Sequence, residues 1–158
     1  MKKIKFYLLL VMLLILQSTV LHKISVFGVF PNVVFVYAIL YSSVNNGLDA
    51  ACFSFVTGLL LDLLTGKTIG LNAILVMYVG YLVSLAGKKF FYENPLYCML
   101  LVFVTTFVYQ SVYCILNYVI WQIGDYSSAF LPILIESVYN SLAGLLLYFT
   151  SIKKSAEM

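Results

Sequence analysis

Apolar residues dominate the chain in six long runs, at about residues 4–21, 28–44, 48–64, 69–86, 96–121 and 130–152, separated by short polar breaks. A bilayer crossing takes about 20 predominantly apolar residues, so runs of this length predict transmembrane helices. Six of them predict a single all-α polytopic bundle. The second run is the shortest: its apolar core covers residues 30–43 and reaches spanning length only with its flanks. Pro31 is acceptable there, because the first turn of a helix has no use for the N–H that proline lacks.

The lysines orient this bundle, since positive charge in short loops is retained on the cytoplasmic side. With the N-terminus inside, seven lysines are cytoplasmic (Lys2, Lys3, Lys5, Lys88, Lys89, Lys153 and Lys154) and two, Lys23 and Lys67, are outside. An even number of crossings places both termini in the cytoplasm and agrees with this bias. The first run could pass for a secretory signal, but Gln17 to Leu21 offers no small-x-small cleavage site. It is expected to remain as the first helix. Trp121 and the tyrosines Tyr7, Tyr41, Tyr92, Tyr97 and Tyr126 fall near run ends, where amphipathic rings favour the interface.

Composition then removes function classes. Of 158 residues, 63% are apolar and 9% charged, far from a soluble domain, and six crossings leave no length for a separate catalytic head. The net charge of +3, with no arginine, argues against a nucleic-acid surface. Cys52, Cys98 and Cys114 lie inside apolar runs with no metal or disulfide spacing, and read as small buried hydrophobes. No residue set supplies a nucleophile with its base, a metal centre, a cofactor site or a phosphate loop, so no enzyme is expected. His22, beside Lys23, reads as an interfacial polar residue.

The informative residues are those that lipid would reject. Ser54, Gly58 and Asp62 recur at four-residue steps in the third run and share one helical face. Pro132, Glu136, Asn140 and Gly144 do the same in the sixth, and Gln110, Cys114, Asn117 and Trp121 line the fifth. Ala73, Met77, Gly80, Ser84 and Gly87 give the fourth a small-residue stripe suited to close packing. In the assigned orientation Gln17, Asn32, Asp62, Asn72, Asn117 and Glu136 gather toward the outer ends of their helices. Unpaired intramembrane carboxylates cost about 2.5 kcal/mol or more at mid-bilayer, so Asp62 and Glu136 should face protein or water. Three readings of this polar cluster stay open: internal hydrogen bonding that fixes the bundle, a docking face for a partner helix, or an outward-facing solute pocket. The segment Thr65-Gly66-Lys67-Thr68-Ile69-Gly70 reads as a tight turn between two helices.

The stretch from Gly58 to Ala73 closely resembles the signature of the MreD family of bacterial rod-shape proteins, roughly G-x-x-x-D-x-x-S/T-G-x-x-x-G-x-N-A/T, met here by Gly58, Asp62, Thr65, Gly66, Gly70, Asn72 and Ala73. The pair Pro31-Asn32 matches the family's usual opening of the second span, and Gly80-Tyr81 recurs in the fourth helix. The specific part of the resemblance covers residues 31–82. Beyond Pro95 only hydropathy matches, so no family role passes to Glu136 or Asn140.

The resemblance implies a multi-pass protein of the bacterial cytoplasmic membrane that acts with MreC in cell elongation. It further implies links to the glycosyltransferase RodA, a class B penicillin-binding protein and MreB filaments, with no enzymatic activity of its own. Self-association stays open. It also implies a fold similar to the substrate-binding subunits of energy-coupling-factor vitamin transporters, which makes vitamin-type uptake the alternative function. The first run contains no alanine, whereas such subunits often present an Ala-x-x-x-Ala face to their coupling partner. The residues expected to carry structural or partner contacts are Pro31, Asn32, Gly58, Asp62, Gly66, Gly70 and Asn72.

Overall fold

A computed structural model describes residues 2–19, 28–66, 70–86, 94–122 and 126–149. They form six helices and no strand: α1 (Lys2–Thr19), α2 (Val33–Val44), α3 (Gly47–Thr65), α4 (Leu71–Leu85), α5 (Pro95–Trp121) and α6 (Tyr126–Leu147). His22, Lys23, Lys67, Lys88, Lys89, Tyr92, Lys153 and Lys154, on which much of the orientation argument rests, lie outside the described residues. Three helical stretches are long and apolar enough to cross a membrane, namely Gly47–Thr65, Pro95–Ile120 and Ala129–Leu147. The apolar parts of α1, α2 and α4 are shorter.

Two antiparallel hairpins, α3–α4 and α5–α6, make the most extensive contacts, and α2 lies among α1, α3, α4 and α6. Every residue of α2 from Val33 to Ser43 is buried. A helix that is apolar all round has no face to offer water, and this one is enclosed by its neighbours. At 12 residues it is about 18 Å long, well short of a hydrocarbon core of about 30 Å. The helix expected over residues 28–44 therefore begins five residues late. Gly28 turns with φ of 77°, and Pro31 precedes the N-cap Asn32 instead of occupying the first helical turn. The physical reason is the asparagine side chain, which accepts from the Phe35 N–H and so fixes the helix start one residue beyond the proline.

Aromatic and small polar contacts lock α2 in place. Tyr41 stacks on Phe53 of α3 at 3.9 Å between ring centroids, and Phe35 stacks on Tyr109 of α5 at 4.3 Å. The Ser42 and Ser54 hydroxyls meet at 3.1 Å, and the Tyr37 hydroxyl donates to the Phe6 carbonyl of α1 at 3.4 Å. Ser54, Gly58 and Asp62 are all buried along one face of α3, where α4 packs. The α5 helix starts cleanly: Asn94 accepts from the Leu96 N–H at 2.9 Å, with Pro95 in the first turn.

Candidate functional site

A helix leaves its first N–H groups without intrahelical partners, and in a bilayer no water is at hand to take them. The structure solves this problem twice at one end of the bundle. The first solution belongs to α4. Its N-cap position is Gly70, which has no side chain to offer, and Asp62 of the preceding helix fills the role. The Asp62 Oδ2 accepts from the N–H groups of Gly70 at 2.8 Å and Ala73 at 3.1 Å, while Oδ1 accepts from Asn72 N–H at 3.2 Å. The carboxylate is fully buried, yet it meets the positive end of a helix dipole and three N–H donors.

The glycines of this motif serve that capture. Gly66 ends α3 with φ of 63° and returns its N–H to the Asp62 carbonyl at 2.9 Å. Gly70 holds φ of 99°, a left-handed conformation open to glycine at little cost, and the turn brings the N–H groups of Gly70, Asn72 and Ala73 toward the carboxylate. Gly58 supplies the room: a Cβ there would lie 2.6 Å from the Ala73 Cα. Backbone contact at Gly58 thus sets how closely the start of α4 can approach α3, and hence whether its N–H groups reach Asp62.

The second solution belongs to α2 and uses neutral amides. The Asn32 Oδ1 accepts from Phe35 N–H at 3.1 Å and from the Gln17 amide of α1 at 3.2 Å. Gln17 in turn accepts from Val34 N–H at 3.0 Å, and Asn140 of α6 accepts from Asn32 N–H at 2.8 Å. The Asn140 amide also donates to Thr106 of α5 at 3.4 Å. A short hydrogen bond from the Tyr109 hydroxyl to Asn72 Oδ1 ties α5 to the start of α4.

Between these two helix starts lies a cavity of 710 Å³, whose lining includes Gln17, Asn32, Asn72, Tyr109, Gln110 and Glu136. Of the residues expected to cluster, Gln17, Asn32, Asn72 and Glu136 line it, and Asp62 sits immediately behind Asn72 as its cap. Asn117 does not join them, because its amide donates to the Tyr113 carbonyl of its own helix at 2.9 Å. Pro31 is half-buried beside the N-cap, and Gly58, Gly66 and Gly70 act within the α3–α4 hairpin. Sequence reasoning missed Tyr109 and Thr106. With 13 tyrosines in the chain, nothing in the sequence marks Tyr109 as the one that reaches Asn72. Among the described residues no group of three or more His, Cys, Asp or Glu side chains is placed to hold a metal ion.

Fold and site define an all-helical protein with membrane-competent helices, in which two short helices begin inside the bundle beside a polar cavity. Asp62 and its three glycines give this class a specific local architecture. The family model described as rod shape-determining protein MreD matches residues 2–153, and the chain belongs to that family. It is accordingly a bacterial membrane protein of the kind that determines rod shape. Comparison with curated proteins and with solved structures returned no match.

Proposed function

We propose that the chain is a non-catalytic scaffold of the cell-elongation machinery, a six-span protein of the cytoplasmic membrane with both termini inside. In this role it acts with MreC, and through the assembly with RodA, a class B penicillin-binding protein and MreB, in lateral peptidoglycan synthesis. The observation that carries the reading is the use made of Asp62. An intramembrane acid is the first candidate for chemistry, but here its oxygens are taken up by the start of α4. The motif builds a shape instead of a reactive group.

Depletion in the source cell should convert rods to rounded cells, and unchanged rod shape would remove the proposal. At the molecular level, Gly58→Leu should separate α3 from α4 at a cost of about 3 kcal/mol, an overpacking effect, and reduce co-purification with MreC. Undiminished co-purification would show that the hairpin geometry is irrelevant to that partner. Reporter fusions at residues near Lys88 and at the C-terminus test the topology, both being expected inside.

The cavity favours a second reading, the binding subunit of a vitamin-type transporter, since 710 Å³ lies within the range of small-molecule sites. That reading requires a small polar solute to remain bound through purification. Native mass spectrometry of the purified protein showing no such solute would remove it.

A further inference from the structure

The helices of this bundle differ in height, and the difference faces lipid. Both ends of α4 are described: it starts after Gly70 and stops at Ala86, a length of 15 residues or about 22 Å. Its neighbour α5 has 27 residues, about 40 Å. Tilt brings a long helix down to a hydrocarbon core of about 30 Å, but tilt only shortens the height a helix covers, so no inclination lets α4 reach that thickness. In the sequence, charge closes in on both sides of α4, with Lys67 four residues before its first residue and Lys88 three after its last.

The missing height lies at one end. Asn72, in the first turn of α4, accepts from the Tyr109 hydroxyl, and Phe35, in the first turn of α2, stacks on the same ring. Tyr109 lies near the middle of α5, with 12 residues of helix, about 18 Å, beyond it. Burial changes at the same point: Cys98, Val102, Thr106 and Tyr109 are buried, whereas none of residues 110–120 is. The starts of α2 and α4 thus stand at mid-height of α5, and the rest of α5 rises past them.

The α2 helix is enclosed and has no lipid to match, but α4 is not. Ile74, Tyr78, Leu82 and Leu85 are exposed on it, an apolar band about 16 Å tall, against about 36 Å from Leu96 to Ile120 on α5. A bilayer of full thickness beside α4 would lay acyl chains against the non-helical backbone at Gly66 and Gly70, whose polar groups hydrocarbon cannot satisfy. A short apolar stretch is accommodated when the bilayer thins beside it.

We propose that the α4 face thins the bilayer against it and collects lipids with short acyl chains, while the α5–α6 hairpin holds lipid of ordinary thickness. The proposal rests on the six-span reading, since it needs α4 to cross the membrane. The test uses the full chain with its one tryptophan removed by Trp121→Phe and a single reporter placed at an exposed position, Tyr78→Trp on α4 or Leu142→Trp on α6. Each variant is reconstituted in mixed phosphatidylcholines of short (14-carbon) and long (22-carbon) chains, with bromine, a quencher of tryptophan fluorescence, carried on one species at a time. At Tyr78→Trp the short-chain lipid should be favoured by about threefold relative to Leu142→Trp, since mismatch costs a fraction of a kcal/mol per ångström. Ile74→Trp, also exposed on α4, should repeat the preference and serves in place of Tyr78→Trp if that variant does not fold. The same chain-length ratio on α4 and α6 overturns the proposal and leaves the six-span reading intact. Quenching at Leu142→Trp with none at either α4 position overturns both, because α4 would then not meet lipid.

Discussion

Two helices begin at the same cavity, α2 and α4, and their starts are satisfied by opposite chemistry. The α4 start is held by one carboxylate from the helix before it, with donors only 8 to 11 residues further along the chain. The α2 start is held by three amides: Asn32 caps the Phe35 N–H three residues on, while Gln17 of α1 and Asn140 of α6 reach the same start from 15 to 108 residues away. The first is a local device that needs only the α3–α4 hairpin. The second is complete only when α1, α2 and α6 have come together, so its Gln17 and Asn140 bonds report assembly of the bundle. Local contacts form at lower entropic cost, and the hairpin is accordingly the unit expected to form first.

The largest effect should come from breaking the charged cap. Asp62→Ala removes the acceptor for three N–H groups, two of which belong to buried residues, and leaves them without that partner. A buried N–H left unsatisfied costs about 1–3 kcal/mol, so losing the acceptor of all three should cost about 3–5 kcal/mol in total. Thermal or denaturant unfolding of the purified protein should register a shift of that size. A change below about 1 kcal/mol, the level of a single neutral hydrogen bond, would mean that the carboxylate is not what secures α4.

This difference in locality also governs how much of the molecule is legible in its sequence. Asp62 and the glycines Gly58, Gly66 and Gly70 fall in one short stretch at helical and turn spacings, so their joint use as a hairpin can be inferred from residues alone. The helical ends of α3, α4 and α5 are set by short-range signals and lie within two residues of expectation. The start of α2 is different. Pro31 suggested a first-turn position, but the helix begins at Val33 because Asn32, Gln17 and Asn140 supply its caps. Nothing along the chain announces that Asn140 meets Asn32. The same limit misplaced Asn117, whose helical address resembled that of the cluster but whose amide turns to its own backbone.

A smaller effect is expected from breaking the neutral cap. Asn140→Leu releases the Asn32 N–H and one contact to Thr106, at a cost of about 1–3 kcal/mol for an unsatisfied buried donor. Equal losses from Asn140→Leu and Asp62→Ala would erase the distinction between the two caps. The amide cap should also be the more context-dependent: Gln17→Leu and Asn140→Leu act on the same helix start and should be non-additive in a double-mutant cycle.

The smallest effect, and the sharpest, concerns the residue that touches both starts. Tyr109 stacks its ring on Phe35, in the first turn of α2, and donates its hydroxyl to Asn72, in the first turn of α4. Tyr109→Phe keeps the stack and deletes only the hydrogen bond, so stability should fall by about 1 kcal/mol. Its diagnostic consequence is on coupling. If Tyr109 connects the two caps, Asp62→Ala and Asn140→Leu should interact by about 0.5–1 kcal/mol in the wild-type background, and by close to zero once the hydroxyl is gone. A coupling unchanged by Tyr109→Phe would route the connection through the packing of α2 on α4 instead. The two helix starts would then share a cavity without sharing a hydrogen-bonded link.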